Sequence, residues 1–299
     1  MWKEQLKSNT RNIFILQFCL ILSLMGQSEI KAIITKHNLQ SFTARANFQS
    51  LLFDHNGLMY IASSEGIILY NGITEQFINN SDNAGLHGVS SMVEDKKGII
   101  WIACEDGQIF RIYNKELNIW SPPEGLPKRK ISKLLVDDKN QLWIATKGEG
   151  VYVFNQTYLY HFGLDDGLIH LDINDMIHSK EKGIIVSSDQ GIQALDFKNG
   201  LKRVSHVKIS CLDSKDIVQD LEYFNDLLYL NNLSKGIIEW NLTTDSCSLI
   251  RNNKDVELTM SISISNDYQV LMTEKNIYIK SEESDQFISL KSDFDISEI

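Results

Sequence analysis

Seven histidines are the side chains best placed by type to move protons or bind a metal near neutral pH: His37, His55, His87, His161, His170, His178 and His206. None stands in an HxH or HExxH spacing, which would bring two imidazoles to one ion. His87 and His170 occupy equivalent Gly-Leu loops, Gly85-Leu86 and Gly167-Leu168, with Gly125-Leu126-Pro127 in the loop between them. If those loops share a face, the two imidazoles point to a metal-dependent lyase or hydrolase. As two polar loop residues they need do no chemistry, and no metal site or cofactor is expected. Glu65, Asp106 and Glu149 each precede a glycine, Gly66, Gly107 and Gly150, and so recur at one place in a repeating pattern. An acid before glycine suits a tight corner held by an Asx-type hydrogen bond, so these acids are read as turn residues and not as a catalytic pair. The sequence has no G-x-S-x-G elbow and no phosphate loop. No catalytic residue is assigned, and the chain is read as a binding protein.

The acids outnumber the bases, 39 to 29, for a formal charge of −10. The sole basic cluster is Lys128-Arg129-Lys130, so nucleic acid is not an expected partner. Cys104, Cys211 and Cys247 follow an N-terminal Cys19 at wide spacing, which predicts neither a disulfide framework nor a zinc site. Cys104 is expected to be a small packed side chain in a strand.

The elements that position these residues come from one repeated unit. Residues 48–70 (FQSLLFDHNGLMYIASSEGIILY), 89–113 (VSSMVEDKKGIIWIACEDGQIFRIY) and 131–154 (ISKLLVDDKNQLWIATKGEGVYVF) share a layout. An alternating strand ends in Asp54, Asp95 or Asp137. A polar turn follows, then an aromatic-aliphatic pair led by Tyr60, Trp101 or Trp143, then the corner glycine Gly66, Gly107 or Gly150. Trp101 lies 41 positions after Tyr60, and Trp143 lies 42 after Trp101. That period, with four short strands per unit, predicts an all-β β-propeller. One aromatic per unit between aliphatics predicts blade packing rather than sugar stacking.

Clear units are assigned to 48–88, 89–130 and 131–172, and weaker ones to 173–217, 218–260 and 261–290, all within a propeller at 29–299. In the fourth unit Ile185-Val186 stands where the aromatic was, while the fifth keeps Tyr229 and Gly236. Six units predict six four-stranded blades, or an incomplete seven. A blade alone leaves open edges, and a ring removes them. Residues 32–36 (AIITK) are a candidate for the strand that closes the ring. Strand alternation puts the longer connections on one face, and there the candidate ligand residues are His87, Lys128, Arg129, His170, Asp172 and Asn174.

Residues 1–28 read as a signal peptide. Lys3, Lys7 and Arg11 precede the apolar run 13–25 (IFILQFCLILSLM), which is too short to span a bilayer comfortably. This predicts a periplasmic protein, with an uncleaved anchor facing the periplasm as the alternative.

The units resemble the two-component regulator propeller repeat, in which a strand is followed by D-x-x-G-x-[LI]-W-[IV]-G-T and a G-L loop. Here Asp95, Gly98, Trp101 and Ile102 match it, as do Asp137, Leu142, Trp143, Ile144 and Thr146. The pattern's second glycine is alanine throughout: Ala62, Ala103 and Ala145. The likeness covers about residues 31–207. It implies a non-catalytic periplasmic input domain that binds a small or oligosaccharide cue for a membrane sensor kinase, or for an output region beyond this sequence. A protein-interaction scaffold is the alternative from outside the sensor class.

Overall fold

The computed structural model describes residues 48–252, except 64–65, 79–85, 87, 214–215 and 225, together with the strands of the segment up to 290 and two short strands nearer the N-terminus. Those two, β1 (Ile13–Ile15) and β2 (Thr35–His37), pair antiparallel with each other. The strand expected to close the ring therefore joins β1 and no blade, as far as its described residues go. Most of the expected signal segment lies outside the described residues.

Six four-stranded antiparallel sheets follow in chain order. The first holds β3 (Phe48–Phe53), β4 (Met59–Ser63), β5 (Gly66–Tyr70) and β6 (Glu75–Ile78). The second holds β7 (Val89–Glu94), β8 (Ile100–Cys104), β9 (Ile109–Tyr113) and β10 (Glu116–Ile119). The third holds β11 (Ile131–Val136), β12 (Leu142–Thr146), β13 (Val151–Phe154) and β14 (Leu159–Phe162). The fourth holds β15 (Ile173–Ser179), β16 (Gly183–Ser188), β17 (Gly191–Lys198) and β18 (Leu201–His206). The fifth holds β19 (Val218–Phe224), β20 (Leu227–Asn232), β21 (Gly236–Asn241) and β22 (Cys247–Asn252). The sixth holds β23 (Thr259–Ile264), β24 (Tyr268–Thr273), β25 (Ile277–Ser281) and β26 (Ile288–Leu290). The first strands of successive sheets pack on one another, β3 on β7, β7 on β11, and so on to β19 on β23, so they form the inner edge of the array.

Burial explains this order. The second strands β8 and β12 are buried along their whole length, because both of their faces meet a neighbouring sheet. The outermost β10 is mostly exposed and serves as a polar edge. The repeat aromatic faces forward into the next sheet. Trp101 packs with Ile131, Leu134 and Ile144, and Trp143 packs with Ile173, Met176 and Ile184. Both indoles are buried, which fits packing and leaves no face for a sugar.

The repeated acid and aromatic are one device. Asp137 Oδ1 accepts the N–H groups of Lys139 (2.9 Å) and Gln141 (2.8 Å), closing the turn, and its Oδ2 accepts Trp143 Nε1–H at 3.0 Å. Asp95 repeats this with Lys97, Ile99 and Trp101. In the first sheet Tyr60 Oη reaches Asp54 Oδ2 only at 3.5 Å. The corner glycines answer a different demand. A Cβ on Gly107 (φ 86°) would stand 2.4 Å from Pro127 O, and one on Gly150 (φ 74°) 2.4 Å from Phe162 O. At Gly107 the chain after the second sheet, and at Gly150 the end of β14, presses on the corner too closely for a side chain.

Cys211 and Cys247 form a disulfide, contrary to the reading of the wide spacing, with Cα atoms 6.1 Å apart. The spacing misled because the partners are neighbours only once the loop that enters the fifth sheet folds back on that sheet's outermost strand. Cys104 is a buried free thiol, as its strand position suggested.

Candidate functional site

Each second strand turns into the third through a corner, and the connection to the next sheet lies against that corner. The N–H of Glu105 bonds Gly88 O at 2.8 Å, and the N–H of Lys147 bonds Lys130 O at 2.8 Å. Gly148 and Gly150 both donate their N–H to Leu171 O. The long loops and the corners thus share one face, and the third sheet's corner is clasped between the loops on either side.

Five of the six expected ligand residues collect around this corner; His87 lies outside the described residues. Gly148 sits between Arg129 and Asp172: a Cβ there would be 3.8 Å from Arg129 Cγ and 3.6 Å from Asp172 Oδ1. Lys128, an exposed residue, donates its backbone N–H to Glu149 Oε2 at 2.8 Å. The Asp172 N–H lies 3.1 Å from His170 Nδ1, which holds the ring against the loop. Asn174 donates from Nδ2 to Asp189 Oδ1 and to Val218 O, each at 3.0 Å. Its amide oxygen accepts from Lys147 Nζ.

Lys147 and Asp189 were not singled out in the sequence, yet they join the others into one network. Partial burial draws the Lys147 ammonium below its ordinary value, against the pull of Asp189 and then Asp172. A signal for both was present. The first corner position reads Glu105, Lys147, Asp189 in successive units, a reversal of charge within an otherwise repeated frame. Beside it Lys130 pairs with Glu105. Donors and acceptors of both signs therefore alternate over a few residues, which suits a ligand rich in hydroxyl groups. Among the described residues no three His, Cys, Asp or Glu side chains converge as metal ligands.

The sequence matches no family model and no curated protein. Its fold is similar to solved propellers. The extracellular domain of the hybrid two-component system BT4673 of B. thetaiotaomicron aligns at TM-score 0.69 and 16% identity, over 84% of this chain and 34% of that one. The extracellular domain of the hybrid two-component system BT3049 from the same organism aligns at TM-score 0.63 and 16% identity, over 84% and 36%. Virginiamycin B lyase from Staphylococcus aureus aligns at TM-score 0.65 and 11% identity, over 84% and 86%. The chain thus spans about a third of the length of the two sensor chains. At these identities the likeness is one of fold.

Proposed function

We propose that this chain is the ligand-sensing propeller of an extracytoplasmic receptor, non-catalytic itself, whose state is read by a membrane sensor kinase. The observation that carries the reading is the likeness, over 84% of the chain, to extracellular domains of two hybrid two-component systems. The Cys211–Cys247 disulfide supports an oxidising, periplasmic setting. On this reading the six sheets are the blades of a six-bladed ring, or of a seven-bladed ring completed from outside this sequence. The corner formed by Arg129, Lys147, Asp172, Asn174 and Asp189 holds a polyhydroxylated cue such as an oligosaccharide.

Sensing requires that ligand change the propeller's affinity for its partner. Polysaccharide digests are added to the purified propeller and thermal unfolding is followed. A cue at about 100 times its Kd stabilises the fold by about 2.7 kcal/mol. The shift is expected to vanish in Asp172→Asn/Asp189→Asn. A stabilising digest that acts equally on that variant rejects the corner. A cue that leaves binding to the kinase unchanged rejects sensing.

A further inference from the structure

A cavity of about 610 Å³ lies away from the loop corner, between the fourth and fifth sheets. The space between the third and fourth sheets, by contrast, holds a cavity of about 50 Å³. The fourth sheet also carries smaller residues at the repeat position. Trp101 pairs across strands with Arg111, Trp143 with Val153, and at the same place in the fourth sheet Ile185 pairs with Ala194. In the second and third sheets an indole and a longer side chain stand at this place, and in the fourth an isoleucine and a methyl group. Ala194 lines the cavity, and so does Trp240, which reaches back from the fifth sheet.

The space is polar, and its lining carries both cations and acids. Lys182 Nζ sits 5.1 Å above the Trp240 ring, and Lys208 lines the same cavity. A second cavity of about 430 Å³ shares Lys182, Ala194 and Ser205 with it and adds Arg203. Among the described residues none of these three cations has an ion pair. Two of the lining acids are already engaged: Glu181 accepts from Ser179 and Tyr223, and Asp245 accepts Trp240 Nε1–H at 2.9 Å. The third acid, Asp196, shares the second cavity with Arg203 without an ion pair to it. The wall that carries Lys208 is pinned, since Ile209 beside it is buried and Cys211 is tied to Cys247.

We infer that this cleft is a second binding site, distinct from the loop corner, for a sugar unit that bears a carboxylate. Lys182 and Lys208 take the anionic group. The remaining lone pairs of Glu181 and Asp245, with the Ser205 and Thr243 hydroxyls, serve the sugar's hydroxyl groups. The volume is within the range of small-molecule sites, roughly 300–1,000 Å³. The inference deepens the sensor reading by naming a chemical class of cue, while the binding itself does not depend on signalling.

The test is calorimetric titration of the propeller with D-glucuronate and with D-glucose. Saturable binding of glucuronate, at least about tenfold tighter than glucose, is expected, because a charge-assisted bond is worth roughly 1.5–3 kcal/mol. Lys182→Gln and Lys208→Gln should each weaken it about tenfold. Ala194→Trp, which fills the cavity from its own wall, should abolish it; should that variant misfold, the two lysine variants decide alone. Asp172→Asn/Asp189→Asn should leave it intact. Glucuronate binding that survives both lysine variants, or no preference for glucuronate over glucose, overturns the inference. Binding lost only in the Asp172/Asp189 variant overturns it too, and leaves the loop-corner reading standing.

Discussion

Lys133 Nζ lies 2.9 Å from Asp175 Oδ1, and the pair joins the innermost strands of two neighbouring sheets. All six innermost strands carry a register shift at one place, and the residue just past it is Ser50, Ser91, Lys133, Asp175, Asp220 or Ser261. At Ser91, Lys133 and Asp175 the bulge aims the side chain toward a neighbouring sheet. Ser91 Oγ accepts the Leu134 N–H at 3.0 Å, and Asp175 Oδ2 accepts the Leu221 N–H at 2.9 Å. One buried carboxylate thus ties three sheets together.

Removing its cation tests that role. Burial, the largest influence, pulls the Lys133 pKa down, but Asp175, with Asp220 and Glu222 behind it, carries it above the usual lysine value. Lys133→Met leaves a buried charge with fewer donors. We expect a loss of about 2 kcal/mol in urea unfolding, less than for a fully buried pair because the lysine is 39% exposed. Lys133→Met/Asp175→Asn should recover most of it. A double variant no more stable than the single one would show that the pair carries no such energy.

The aspartate-tryptophan device makes a graded prediction. Asp137→Ala removes the acceptor for two turn N–H groups and a buried indole N–H, and should cost about 3 kcal/mol. Asp54→Ala loses two turn bonds, of Asn56 and Leu58, in a more exposed turn, and the weak 3.5 Å contact to Tyr60. It should cost about 1 kcal/mol. Equal losses would mean that the indole bond contributes nothing.

The same device shows why the all-β repeat was readable from the chain alone. Acid and aromatic sit six positions apart because one carboxylate must reach both the turn and the ring, so Asp95/Trp101 and Asp137/Trp143 keep step. The corner glycines are held by close approach and are as legible. Contacts between units left no such trace. Cys211 and Cys247 meet only after the loop folds back, and Lys147 meets Asn174 and Asp189 only because the third and fourth sheets stack. The replacement of the aromatic by Ile185 was visible as an eroded copy. That a cleft stands between the fourth and fifth sheets needed its walls, Trp240 and Lys182, to be seen in place.

The disulfide encloses a separation of 36 residues, and its constraint on the unfolded chain is worth about 3–4 kcal/mol. Cys211→Ser/Cys247→Ser should lower stability by that order, and unreduced proteolytic peptides should link the two positions. Reductant should then have no further effect on the double variant. Stability of the wild type that does not respond to reductant would contradict the assignment.

The last prediction concerns pH. His55 Nδ1 lies 2.5 Å from Glu94 Oε1, and the His55 backbone N–H donates to Glu94 Oε2 at 2.7 Å, which joins the first sheet's turn to the second sheet's inner strand. The hydrogen bond to Glu94, and then its charge, raise the imidazole pKa above the ordinary 6.5. A raised pKa means that the contribution is fully present below pH 6.5 and is lost as pH rises through the folded-state value. Because the ring is largely exposed, the effect belongs to this junction and not to global stability. In an NMR titration the His55 ring should show a midpoint above 6.5 that falls back toward 6.5 in Glu94→Gln. Amide protection at the junction, with the intrinsic rise of exchange with pH divided out, should fall over the same interval in the wild type alone. A midpoint that Glu94→Gln leaves in place would assign the shift to something other than this pair.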